Sequence, residues 1–371
     1  MNTALFQEIL NIDSTSGRER ELADFLSERL LTSKCRLERF DVVAMAADVP
    51  AGMDVPQNLL FTWGEPQVVF CTHMDTVPPY IPPTLSQPSS PTFHGRGTCD
   101  AKGQIMAMYE ACLALEAKGH TGFGLLLLAG EETGSFGAKA FRDAHPGAEW
   151  LVVGEPTDNC MASASKGTKA FEVTFTGKAF HSGYPEYGSS AVEHFNDFMN
   201  ALRSIGFPQD EILGDTTFNV GRVLSDNPQN ILSDRLTCRV YFRTTFESDE
   251  MVTNVMKNMA GPDARLRFGR PRAQDGSDVA AKEVAPWQKA MSVVALGGDT
   301  PTRYEVLDGF PSKPVAFGSD APQLTNFRHK ILCGPGSILV AHRDEEHMAL
   351  SDLDAAVENY IRIYESIIGR P

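Results

Sequence analysis

Short continuous apolar runs punctuate the chain: "QVVFC" at 67–71, "GLLLLAG" at 124–130, "WLVVG" at 150–154, "PVAFG" at 314–318 and "KILCG" at 330–334. None alternates apolar with polar positions, so each predicts a strand buried on both faces. Between the first two, "AKGQIMAMYEACLALEAKG" sets Ile105, Met108, Cys112 and Leu115 on one helical face and offers Gly119 as a stop. Upstream, "RERELADFLSERLL" repeats Leu22, Phe25, Leu26 and Leu30 at helical spacing after the turn signal "STSG". Buried strands alternating with helices predict an α/β domain whose mainly parallel central sheet is covered on both faces. In such sheets chemistry gathers beyond the carboxyl ends of the strands.

The pattern changes near residue 165. "KAFEVTFTG" alternates Phe171, Val173 and Phe175, and "SSAVEHFNDFMNALRSIG" then places Val192, Phe195, Met199 and Leu202 at helical spacing. Two alternating runs, "TFNVGRVL" and "RLTCRVYFRTTF", are followed by helix-like "ESDEMVTNVMKNMAG" and strand-like "ARLRFGR". That order, βαββαβ, predicts a ferredoxin-like unit able to fold by itself. After the polar stretch "PRAQDGSDVAAKEV", the segment "PWQKAMSVVALGG" reads as a helix that resumes the first style. The expected organisation is one α/β domain, 1–164 and 277–371, interrupted by an inserted domain at 165–276.

Composition narrows the possibilities. The 371 residues, 42% of them hydrophobic, suffice for a large core, and the length suggests about two domains. A formal charge of −15 opposes phosphate backbones and anionic membranes, so neither nucleic acid nor a membrane is an expected partner. Seven scattered cysteines with no C-x-x-C pair argue against a disulfide framework or a thiolate metal site and fit a reducing cytoplasm. The sequence begins without a basic leader and apolar run, and no stretch approaches about 18 uninterrupted apolar residues.

Polar residues stand just past the apolar runs. His73 and Asp75 follow "VVFCT", Glu131 and Glu132 follow "LLLLAG", and Glu155 follows "LVVG". Asp100, in "GRGTCDAKGQ", opens a helix, and His342 follows "CGPGSILVA". Any one of these could be a cap or a solvated group, and Asp100 could simply be a helix N-cap. Together, imidazoles with carboxylates and no cysteine suit a divalent ion, with zinc favoured over magnesium. One ion needs three or four ligands, so the surplus suggests two ions sharing a carboxylate. A strand sends successive side chains to opposite sides, so the adjacent Glu131 and Glu132 are not expected to bind one ion together; one turns toward metal and the other toward substrate.

"THMDTVP", "GRGTCDAKGQ", "AGEETGSFGAKAF", "VVGEPT", "GKAFHSGYPEYGSSAVE" and "GPGSILVAHRDEEH" occur in that order. The chain thereby resembles, over nearly its whole length, the two-zinc amidohydrolases and exopeptidases that include acetylornithine deacetylase, succinyl-diaminopimelate desuccinylase, aminoacylase and carboxypeptidase G. The resemblance implies one zinc on His73 and Glu155, another on Glu132 and His342, and Asp100 bridging them, with Co2+ or Mn2+ as substitutes. It implies that Asp75 hydrogen-bonds the outer nitrogen of His73 and that Glu131 is the general base for a zinc-bridged water. His181 resembles a histidine that stabilises the oxyanion from the inserted domain, often across a dimer, which implies a homodimer through that domain. Asn230 and Arg243 resemble residues that grip a substrate carboxylate, and Ser319 and Gly336 occupy places that touch substrate. The sequence departs from the pattern at "NILSD", where Ser233 replaces a usual proline.

The resulting expectation is a cytoplasmic zinc-dependent hydrolase that cleaves the amide bond of a small-molecule N-acyl amino acid, of acetylornithine deacetylase type. The alternative is a metallo-exopeptidase, a dipeptidase or carboxypeptidase, using the same centre on a short peptide.

Overall fold

A computed structural model describes residues 1–47, 49–86, 91–268 and 283–369. The chain divides into two compact units, one comprising Met1–Ser163, Arg303–Val315 and Ser319–Pro371, the other Ala164–Thr302 with Ala316–Gly318.

Among its described residues, the first unit is built on a six-stranded sheet. Its order is Arg36–Asp41, Gln57–Trp63, Phe123–Leu128, Val68–His73, Trp150–Val153 and His329–Leu332. The first three strands pair antiparallel, and the remaining pairings are parallel. Every residue of Val68–His73, Phe123–Leu128 and Trp150–Val153 is buried, as their unbroken apolar runs require. The helix Lys102–Ala117 buries Ile105, Met108, Cys112 and Leu115 as expected, and Gly119 follows it at φ +82°, the left-handed conformation that ends a helix. The helix Arg20–Arg29 buries Leu22 and Leu26 in the same core, which also takes in Leu5, Phe70, Leu125 and Tyr360. "PVAFG" is a correction: the strand there, Ser312–Val315, lies outside the central sheet and buries only Val315.

The second unit is a four-stranded antiparallel sheet in the order Thr217–Leu224, Arg235–Thr244, Gly167–Thr176, Met291–Gly297. The helices Ala191–Arg203 and Asp249–Asn258 share a core with it around Phe171, Phe175, Phe198, Leu202, Val240, Val252 and Trp287.

Two expectations fail here. "ARLRFGR" forms no strand over its described part. The Arg265 and Leu266 N–H groups bond back to the Asn258 carbonyl, and the Leu266 carbonyl accepts from Gln288 Nε2. The fourth strand comes instead from "MSVVALG", after a single helical turn at Pro286–Lys289. "PWQKAMSVVALGG" therefore belongs to the second unit, which extends to Thr302 rather than 276. The residues around 276, like most of "PRAQDGSDVAAKEV", lie outside the described residues.

Candidate active site

The strand ends of the first unit bring the predicted groups together. In the parallel pairing His73 lies opposite Leu128, and Cys71 lies opposite Val153. The segments leaving all three strands therefore start from one edge. Beyond Leu128 the chain turns sharply, held by buried Asn58, whose Oδ1 accepts from the Ala129 N–H at 3.1 Å while its Nδ2 donates to the Gly137 carbonyl at 2.8 Å. A Cβ on Gly137 would lie 2.4 Å from the Ala129 carbonyl oxygen, so only glycine lets the next helix, Phe136–Ala144, start this close.

Glu131 and Glu132 sit in that turn, not on the strand. The expected placement of the pair on opposite faces of a strand therefore fails, since both carboxylates meet a donor atom of His73 within 4.8 Å. What distinguishes them is their partner: Glu132 Oε1 lies 2.9 Å from His342 Nε2.

Asp100 lies between two imidazoles. Its Oδ1 is 3.1 Å from His73 Nε2 and its Oδ2 is 3.2 Å from His342 Nε2. It is not the N-cap of the helix it precedes, since that position falls to Ala101. Asp100 joins two sets of three potential ligands, His73/Asp100/Glu155 and Asp100/Glu132/His342, and a third set is His73/Glu131/Glu132, each with its donor atoms within 4.8 Å of one another. His342 reaches in from a left-handed backbone at φ +62°, and its side chain is 49% exposed while that of His73 is buried.

The electrostatics are those of acids crowded out of water. Burial pushes Glu131 and Glu155 well above the ordinary carboxylate range, and raises Glu132 as well. Burial opposes the charge on Asp100, but its hydrogen bonds with His342 and His73 outweigh that and lower its pKa. Hydrogen bonds with Asp100 and then Glu132 push His342 up to about 10. Burial disfavours the imidazolium of His73, yet hydrogen bonding to Asp100 and Asp75 holds its pKa well above the ordinary value.

This donor set fits a pair of divalent cations. Each set offers imidazole and carboxylate, the central Asp100 carboxylate has one oxygen toward each imidazole, and clustered buried acids are what a cation would neutralise.

Asp75 meets the outer nitrogen of His73 through both its backbone and its side chain. His73 Nδ1 lies 2.9 Å from the Asp75 backbone carbonyl and 3.4 Å from its carboxylate. A carbonyl only accepts, so Nδ1 carries a proton and Nε2 is the nitrogen turned to Asp100. The Asp75 carboxylate also accepts the backbone N–H of Glu131 at 3.0 Å, that of Glu132 at 3.1 Å, and the Ser16 hydroxyl at 2.9 Å.

Of the other sequence-predicted residues, Ser319 is buried in the first unit, 3.5 Å from the Tyr304 hydroxyl. Gly336, at φ +75°, packs so that a Cβ would lie 2.6 Å from both Cys99 Sγ and Met348 Cε. His181, Asn230 and Arg243 belong to the second unit. There the exposed His181 pairs with Ile231 and the Ser182 N–H donates to the Asn230 carbonyl at 2.9 Å, so the two loops run side by side. The Arg243 guanidinium lies 5.1 Å from the Tyr241 ring centre. Ser233 is buried, its hydroxyl donating to the Arg235 carbonyl at 3.0 Å.

Sequence reasoning missed Glu346 and Glu19, both fully buried. Glu346 follows the exposed Glu345, and Glu19 opens a charged amphipathic helix, so neither differs in pattern from a solvated group.

A sheet edge that gathers overlapping imidazole–carboxylate sets, with Glu131 beside them, is the arrangement of a metal-dependent hydrolase. Residues 69–366 match Peptidase family M20/M25/M40, and the chain belongs to that family. It is 29% identical to a probable carboxypeptidase of Aspergillus niger, across 98% of this chain and 89% of that protein. Its fold is similar to that of a tripeptidase from Staphylococcus aureus, with a TM-score of 0.75 at 19% identity over 97% of this chain and 96% of the other. It is similar too to a dinuclear metal-binding peptidase of the M20 family from Bacillus subtilis, with a TM-score of 0.65 at 12% identity over 98% of each chain.

Proposed function

We propose that the protein hydrolyses an amide whose amine side is an amino acid with a free carboxylate, using two metal ions, zinc by preference with Co2+ or Mn2+ as substitutes. The observation that carries this reading is Asp100, set between His73 and His342 with Glu132 and Glu155 completing the two sets. When bound, such a pair of cations acidifies a water and polarises a carbonyl.

The chain's own residues do the rest. Glu131 accepts the proton of the attacking water and returns it to the leaving amine. His181 donates to the developing oxyanion. Asn230 and the planar fork of Arg243 hold the substrate carboxylate, and Ser319 and Gly336 line its path. Homodimerisation through the second unit is part of the proposal. It is supported by the edge strand Met291–Gly297, which leaves Val294 59% and Leu296 45% exposed. A cytoplasmic location is supported by seven unpaired cysteines. Among the described residues, no helix is long and apolar enough to cross a membrane.

The acyl group separates the two readings. A small acyl group makes the enzyme an N-acyl amino acid deacylase, of acetylornithine deacetylase type. A peptidyl group makes it a carboxypeptidase, which the Aspergillus relative's name favours. Metal-loaded protein assayed on N-acetyl amino acids, dipeptides and longer peptides decides between them. Amidation of the substrate carboxylate should abolish turnover of every good substrate. Equal rates on free and amidated substrates would defeat the proposal.

A further inference from the structure

We infer that Arg96 and Glu346 form a buried clasp that holds Asp100 and His342 in register, making both positioning residues for the second ligand set. The inference rests on the two-metal reading above and deepens it.

The two segments lie far apart in sequence and are joined reciprocally. Glu346, four residues beyond His342, spends Oε1 on the backbone N–H groups of Cys99 at 3.0 Å and Asp100 at 3.1 Å. Its Oε2 accepts from Arg96 Nη1 at 2.6 Å. Arg96, four residues before Asp100, also donates from Nη1 to the carbonyl of Arg343, the neighbour of His342, at 3.2 Å, and from Nε to the Pro79 carbonyl at 3.3 Å. The Gly95 N–H closes the ring on the Glu346 carbonyl at 2.9 Å.

Relative exposure is 2% for Arg96 and 0% for Glu346. A pair this buried offsets much of its attraction by desolvation, so stability alone is a weak reason for it. An apolar pair could fill the space but could not receive two backbone N–H groups or donate to a carbonyl. What the charged pair supplies is geometry. It fixes the peptide of Asp100 relative to the loop that carries His342, and these are two of the three donors of one set. No clasp bond reaches His73 or Glu155. A general structural role would weaken both sets alike; a positioning role weakens the His342 set, which takes two donors from the clasped segments, more than the His73 set, which takes only Asp100.

The test is a stepwise Co2+ titration of the full metal-free chain, followed by calorimetry and the visible Co2+ spectrum, with parent, Glu346→Gln and Arg96→Lys compared. Glu346→Gln keeps the shape but turns one acceptor oxygen into an NH2 donor facing donors, and Arg96→Lys keeps the charge but loses the planar fork; circular dichroism with thermal melting establishes that each variant is folded. Parent protein should bind two Co2+ per chain. Glu346→Gln should bind its first Co2+ within about threefold of parent and its second about 10–100-fold more weakly, with the second-site spectrum and turnover restored by excess Co2+ and KM unchanged. Arg96→Lys should shift the same step by less, because one charged donor remains. Two sites of parental affinity in folded Glu346→Gln, or equal weakening of both, would overturn the clasp while leaving the two-metal reading intact. Parent protein binding no Co2+ would overturn both.

Discussion

Asp75 holds the backbone of Glu131: its Oδ1 accepts the Glu131 N–H at 3.0 Å, while Oδ2 takes the Glu132 N–H at 3.1 Å. Asp75, two residues past the end of the His73 strand, thus sets the turn that follows the neighbouring strand. Asp75→Asn turns an amide NH2, itself a donor, toward one of those N–H groups. The expected result is a folded protein with activity reduced about 10–100-fold and weaker metal binding, read from kcat and metal content together. Parental kcat with full metal would remove Asp75 from the machinery.

Glu19 beneath this turn is a stability liability with a pH signature. Burial, and then the charge on Asp75, raise its pKa from 4.5 to about 8. Between those values the folded protein keeps a proton that the unfolded chain has released. Stability therefore falls as pH rises through this window, and the loss is complete above it. Glu19→Gln should leave Tm nearly unchanged at pH 4 and raise it at pH 8.5, by on the order of a few kcal/mol in unfolding free energy. A pH-independent difference would contradict the assignment.

Metal binding should release protons. Hydrogen bonds push His342 up to about 10 and hold His73 well above its ordinary value, which favours the imidazolium of each in the metal-free protein, whereas a ligand imidazole must be neutral. Calorimetry in buffers of different ionisation enthalpy should show net release at pH 7. Affinity should also climb from pH 6 to 8.5, by about tenfold per pH unit for each proton released. Metal affinity that is flat across this range would refute these protonation states.

Much of the first unit was legible because its key strands are buried on both faces. Runs such as "GLLLLAG" have no polar partner positions to confuse with a surface helix, and they point straight at the residues beyond them. The second unit was harder. In "MSVVALG" the apolar residues satisfy both helical and strand spacing, and as an edge strand it leaves Val294 and Leu296 exposed, so burial gives no pattern to read. "ARLRFGR" alternates because Leu266 and Phe268 pack on the core without pairing in the sheet.

At the site, His73, Asp100, Glu132, Glu155 and His342 could be proposed from strand ends and motif order, and the structure brings their donor atoms together. Distances could not. The turn that carries both glutamates, the spending of the Asp75 carboxylate on backbone N–H groups, and the burial of Glu346 beside an exposed Glu345 all depend on contacts between residues far apart in sequence.

In the proposed mechanism the adjacent glutamates do different work, Glu131 moving the proton and Glu132 holding metal. The decisive measurement is metal stoichiometry and kcat on the same preparations of Glu131→Gln and Glu132→Gln. Glu131→Gln should retain both ions and lose about 10²–10⁴ in kcat, while Glu132→Gln should bind one ion markedly more weakly. Parental turnover in Glu131→Gln, or full metal affinity in Glu132→Gln, would contradict that division of labour.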